Sequence, residues 1–220
     1  SIEGALESAL GILDISGNNP ATGSPWQPGD IYRFAFCSSQ AIYATSSNID
    51  DYNNLVQSLA DASALNIGSD EGVVWKAIVS TPTVDAIDNT STNYGGAEGN
   101  GGPIYLLNGT LVVDDYEDLW SEGTHQSHIN KTEALGNPPN ADWESVWTGT
   151  AGTGIGLVGD ELGAGDGTSN VGVRADSPST SDNWVDRFRD KDQDTKLYPI
   201  YALSDALEVT QLSGVLGAIT

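Results

Sequence analysis

The 220-residue sequence predicts an α+β domain, on three observations. A strong amphipathic helical stripe lies early in the chain, short strand-like runs follow it, and long Gly-, Asn- and Thr-rich stretches separate those runs without regular βα alternation. This order argues against a doubly wound nucleotide-binding sheet. Six Trp and eight Tyr, with ample Val, Ile and Leu, can fill a core for one large domain or one domain with arms.

The elements follow in order. Residues 1–16 place Ile2, Leu6, Ala9, Leu10 and Leu13 at helical spacing, and the Pro- and Gly-rich stretch 17–30 breaks the pattern, so residues 1–29 read as an N-terminal arm and linker. Ile31 to Phe36 is the first strand after a Pro-Gly-Asp turn. Asn48 to Leu65 reads as a helix, with Ile49, Tyr52, Leu55, Val56, Leu59 and Ala60 on one stripe and Ser47 or Asn48 as its cap. Residues 73–80 (VVWKAIVS) form a buried strand, and 88–102 a loop.

Pro103 to Leu107 and Thr110 to Val113 flank Asn108-Gly109, which predicts a hairpin. A short helix is expected over Asp115 to Trp120, a strand over Ser145 to Thr150, and no regular structure over the Gly-rich 151–170. Trp184 and Phe188 share a side, and 197–203 is a late strand. The domain is expected over 30–205, followed by an apolar tail, 206–220, that carries no charge after Glu208.

Thirty-one acidic residues face eight basic ones, a formal net charge of −23. Such a surface repels nucleic acid and anionic lipid, attracts divalent cations and suits a saline exterior. The single cysteine, Cys37, excludes an intrachain disulfide and reads as a small core residue. No apolar run approaches the length of a membrane span, which is about 20 residues. The chain begins at Ser1 rather than Met, which fits a processed mature protein or a trimmed chain. Asn89, Asn108 and Asn130 head N-x-S/T triplets, the acceptor pattern for glycosylation.

Catalytic patterns are weak. GTGIG (152–156) lacks the lysine and the strand–helix setting of a phosphate loop, and there is no G-x-S-x-G elbow. His125 and His128 lack further zinc ligands at matching spacing, with Glu122 and Glu133 as the carboxylates in reach. Acidic pairs such as Asp50-Asp51 and Asp114-Asp115 are too common in this composition to nominate an acid and a base. Asp190, Asp192 and Asp194 alternate as carboxylates do in calcium loops, yet the sixth-position Gly and twelfth-position Glu of an EF-hand are missing. Arg187, Arg189, Lys191 and Lys196 crowd the same stretch, so a solvated mixed-charge turn is the competing reading. Calcium is the one cofactor the residues suggest, and no enzyme is expected.

The order of motifs resembles a known family. YRFAF (32–36), the helix 48–65, VVWKAIVS (73–80), GPIYLLNGTLVVDDYEDLW (102–120), SVWTGT (145–150), then Trp184 and YPIYAL (198–203) are similar in order to the endostatin domain of collagens, a relative of the C-type-lectin-like fold. They are similar as well to exported bacterial PEP-CTERM proteins that carry such a domain. The resemblance covers roughly residues 30–205 and implies a C-type-lectin-like, endostatin-like framework. It departs in its cysteine count, its acidic surface and the absence of any histidine before His125, so the disulfides, heparin site and zinc site of endostatins are not expected here. Asp182-Asn183-Trp184 echoes only in part the W-N-D run of lectin calcium sites.

Two functions follow as expectations. The first is a non-catalytic structural protein at the cell surface or outside the cell. It assembles with copies of itself through Ile2, Leu6, Leu10 and Leu13 at one end and Leu207, Val209, Leu212, Val215 and Leu216 at the other. The alternative is a calcium-dependent, lectin-like adhesion module that binds an extracellular glycan.

Overall fold

The computed structural model describes Leu13 and residues 15–95, 99–121, 123–139, 145–165, 172–176, 179–190 and 193–209. Their fold is mixed α and β. In chain order the elements are β1 (Ile31–Cys37), α1 (Ile49–Asp61), β2 (Trp75–Ala77), α2 (Ala86–Asn89), β3 (Ile104–Leu106), β4 (Leu111–Val113), α3 (Tyr116–Leu119), β5 (Ser145–Trp147), β6 (Gly172–Asp176), β7 (Phe188–Asp190), β8 (Tyr201–Ser204) and β9 (Leu207–Glu208). Short 3-10 turns occupy Ser69–Glu71 and Asp182–Trp184.

A main sheet runs β2-β8-β1-β3-β4, with β9 also paired to β1. Only the β1–β3 pair in it is parallel. Alternation along β1 explains why the sheet is covered on both faces. Tyr32, Phe34 and Phe36 join one apolar cluster with Tyr52, Val56 and Ala60 of α1, while Ala35 and Cys37 join the other with Leu119, Trp120 and Trp184. β8 splits likewise, Ala202 to the first cluster and Tyr201 and Leu203 to the second.

β8 and β9 run along β1 as one strand with an extra residue. Ala35 pairs with Leu203 and Tyr32 with Leu207, so three steps on β1 match four on its partner, a β-bulge. At the bulge the Ser204 hydroxyl accepts the Phe34 N–H at 3.0 Å, and the Asp205 N–H donates to Val74 O at 2.7 Å.

The capping expected of Asn48 is present, its side chain accepting the Asp50 N–H at 3.2 Å, with Asp50 and Asp51 placed favourably in the first turn. The helix stops at Asp61, short of Leu65. There the Asp61 carboxylate takes the Ser69 N–H at 2.7 Å, and Asn66 adopts a left-handed φ of 53° that no helix continues through. Trp75, Trp120, Trp147 and Trp184 are all buried, as expected of the core.

Two expectations need correction. The strand 73–80 is regular only over Trp75–Ala77, because at its two ends the Val73 N–H turns to Gly68 O at 3.2 Å and the Ser80 N–H to Thr148 O at 2.8 Å, outside the main sheet. The loop at 88–102 begins later, since α2 extends through Asn89. The Gly-rich 151–165 holds no helix or strand, as expected, and is nevertheless pinned. Ala151 N–H meets Ile155 O at 2.8 Å, Leu162 N–H meets Ser80 O at 3.0 Å, and Leu162 is fully buried.

A second sheet, β5-β6-β7, is antiparallel throughout. It is tied to the main one where the Trp147 N–H donates to Pro199 O at 2.9 Å and Trp147 bridges to Ile200. The linker and the start of the tail also belong to the packed body. Leu13, Trp26 and Val209 are buried in the same cluster as Tyr32, and the Gly29 N–H donates to Val209 O at 2.9 Å.

Candidate functional site

The short helix α3 organises an acidic cleft. Asp115 caps it, its carboxylate accepting the Asp118 N–H at 2.9 Å and the Gly99 N–H at 2.6 Å, so one residue starts the helix and holds the neighbouring loop. Gly102 lets that loop cross the start of β1, because any Cβ there would overlap the Ile31 carbonyl. The result is a cleft of about 490 Å³ walled by Pro20 and Ala21 on one side and by Asp114, Glu117, Asp118 and Thr124 on the other. One carboxylate oxygen of Glu117 is buried and has no hydrogen-bond partner among the described residues. Burial, and then the charges of Asp115 and Asp114, push the Asp118 carboxyl above its ordinary range.

Behind α3 lies His125. Its Nε2 sits 3.2 Å from Leu119 O, and its ring stacks 4.6 Å from Trp184, which in turn contacts Trp120 and Tyr201. Burial lowers its pKa to about 4, so the ring is neutral at pH 7. Among the described residues no three His, Cys, Asp or Glu side chains gather as metal ligands. The cleft suits a group with several donors, such as a sugar or an organic cation, better than a bare metal ion.

The residues weighed as zinc ligands are spread apart. His128 lies in a polar groove of about 350 Å³ with Asn108, Gln126, Asn130 and Lys131, away from the Trp184 contact of His125. Glu133 is taken by Ser39, whose N–H and hydroxyl both donate to it. Glu122 lies outside the described residues. Cys37 is fully buried and its thiol pKa is pushed up by burial, in keeping with a core residue.

Of the proposed calcium carboxylates, Asp194 is exposed, and Asp192 and the side chain of Asp190 lie outside the described residues. Asn108 is exposed on the β3–β4 turn with its side chain accepting the Thr110 N–H at 3.1 Å. Asn89 is engaged at 2.7 Å with Ala77 O, so that triplet presents no open acceptor.

The terminal residues divide. Leu13 and Val209 are buried in their own core and Leu207 packs against it, which corrects their assignment as assembly residues: their apolar surface is covered in cis. Ile2, Leu6, Leu10, Leu212, Val215 and Leu216 lie outside the described residues.

One surface was missed by sequence reasoning. Phe188 on β7 is 41% exposed, with the Arg174 and Arg187 guanidinium groups 4.5 and 4.7 Å from its ring centroid. Arg189, on the opposite face, pairs with Asp160 at 2.7 Å. The crowding of basic residues in this stretch was its only sequence signal. No protein-family model matches the chain, and no curated protein matches it in sequence. Among the described residues no helix is long and apolar enough to cross a membrane.

Proposed function

We propose that this is a non-catalytic structural domain of the cell exterior, built on a C-type-lectin-like, endostatin-like framework, that associates with copies of itself. The observation that carries the reading is where the β1–β9 ladder ends. Val209 donates to Asp30 O at 2.9 Å, and beyond Gly29 the facing chain carries Pro28 and Pro25, which have no N–H to extend the pairing. The segment after Val209 is uncharged and rich in strand formers, and its apolar residues Leu212, Val215 and Leu216 need cover. A neighbouring copy supplies it. The arm residues Ile2, Leu6 and Leu10 are proposed to add cover at that same contact, which the tail holds together.

Mass measured by sedimentation over a wide concentration range tests this. Mass that rises with concentration, and that returns to one chain when 210–220 is deleted from a still-folded protein, is the expected result. A chain that stays monomeric throughout refutes it.

The acidic cleft supports the second reading, a glycan-binding module. Its carboxylates and the Ser121 and Thr124 hydroxyls are acceptors matched to sugar hydroxyls. Glycan-array binding that is lost in a folded Asp118→Ala variant favours this reading over the first.

A further inference from the structure

We infer that the outer edge of β7 is the acceptor for a strand donated by a second copy of this chain, the donor being the segment that follows Val209. The inference rests on the self-association reading and names its surface.

The outermost strands of the main sheet are closed by their own molecule. On β2 the Trp75 N–H goes to the Gln57 side chain at 2.8 Å, the Ala77 N–H to Asn53 at 2.9 Å, and Ala77 O to the Asn89 amide at 2.7 Å. On β4, Val112 O accepts the Gln126 N–H at 2.8 Å and Leu111 O accepts the Ser127 hydroxyl at 2.6 Å.

β7 is different. Val173 turns its backbone away from β7, donating to Asp160 O at 3.0 Å and accepting from the Thr148 N–H at 3.1 Å. Its registered partner Arg189 is therefore in a non-hydrogen-bonded pair, and the Arg189 N–H and C=O point away from the sheet. Nothing among the described residues meets them. An open strand edge of this kind is a template for another strand.

Charge selects the occupant. The molecule carries −23 overall, so two copies repel across most of their surfaces, and an uncharged segment is the donor that this repulsion opposes least. Pairing β7 with another β7 about Arg189 would set two guanidinium groups opposite each other, which is unfavourable. The segment after Val209 has no charged side chain and is apolar on both faces as a strand, so one face can cover the exposed Phe188 ring. Tail-to-edge contact is heterologous and propagates as an open chain rather than a closed dimer.

The test is a mixing experiment. Arg189→Pro removes the outward N–H without breaking any described backbone bond, and Arg189→Ala controls for the lost Asp160 pair. In sedimentation, Arg189→Pro and a 210–220 deletion should each stay monomeric, while Arg189→Ala assembles like the unaltered chain. Mixed, the two monomers should form one 1:1 complex that grows no further, since one retains only the donor and the other only the acceptor. Hydrogen exchange of the unaltered chain should slow at the Arg189 amide by about tenfold or more on assembly, which decides the matter if Arg189→Pro does not fold. Assembly of folded Arg189→Pro, or unchanged exchange at Arg189, overturns the β7 assignment while self-association stands. A monomeric unaltered chain overturns both.

Discussion

In the main sheet, the backbone groups that a neighbouring molecule could reach are already held by Gln57, Asn53 and Asn89 on β2 and by Gln126 and Ser127 on β4. In the small sheet, β5 is tied to Pro199 and Ile200, while β7 leaves Arg189 with no backbone partner among the described residues. The difference shows what buried amides on a helix can do. Asn53 lies on the packed side of α1, where an apolar residue would fit the stripe better, and its amide closes a sheet instead.

The largest effect that sharpens the contrast comes from truncating one aromatic residue in each sheet. Trp75 is 1% exposed, packs 4.7 Å from Phe36 and donates to Ile67 O at 2.6 Å. Trp75→Ala should cost about 3–5 kcal/mol in urea unfolding, whereas Phe188→Ala should cost under about 1 kcal/mol. Similar losses for both would mean that the two sheets are equally part of the core.

Next comes the seam between the sheets, where His125 packs on Trp184. Its pKa is lowered to about 4 in the folded protein, so the unfolded chain, titrating at the ordinary 6.5, binds more protons between those values. Stability should therefore be full above pH 6.5 and fall by about 3 kcal/mol as pH drops towards 4. His125→Phe keeps a ring against Trp184 and should flatten that part of the pH dependence, as read by urea unfolding at pH 7 and 4.5.

Opening the closed sheet is the third test. Asn53→Ala leaves the Ala77 N–H unpaired, with an expected loss of about 1–3 kcal/mol. The variant should also aggregate at concentrations the unaltered chain tolerates, a change seen by light scattering. Smallest of all, Arg189→Ala removes an ion pair between exposed Arg189 and half-buried Asp160 and should cost only about 0.2–1 kcal/mol.

Much of the main sheet was legible because its signals are local. The Pro-Gly-Asp turn before the strand formers of β1, the Asn48 cap and the Asn108-Gly109 turn each act within a few residues. β6 was not legible: Val173 and Ala175 are its only apolar residues, set among Gly, Arg and Asp, and its strand state comes from pairing with β5 and β7. The acidic cleft was hidden for another reason. Acids are so frequent here that Asp114, Glu117 and Asp118 carry no distinguishing mark until Pro20 and Ala21 are brought opposite them. The bulge at Ser204 was equally invisible, since an extra residue in a strand looks like any other, and with it went the true course of the tail through Leu207 and Val209.

The place of β1 in the sheet sets a timetable for folding. Its two neighbours come from distant parts of the chain, Arg33 pairing with Ile104 on one side and Ala35 with Leu203 on the other. Loop closure across such separations is slow, and the centre of the sheet cannot be completed until residues near 200 have been made. Until then the edge of β1 that β8 pairs with stays open and the chain is a ready client for holding chaperones. A polypeptide that completes its middle strand last keeps its sheet open until its synthesis is nearly over.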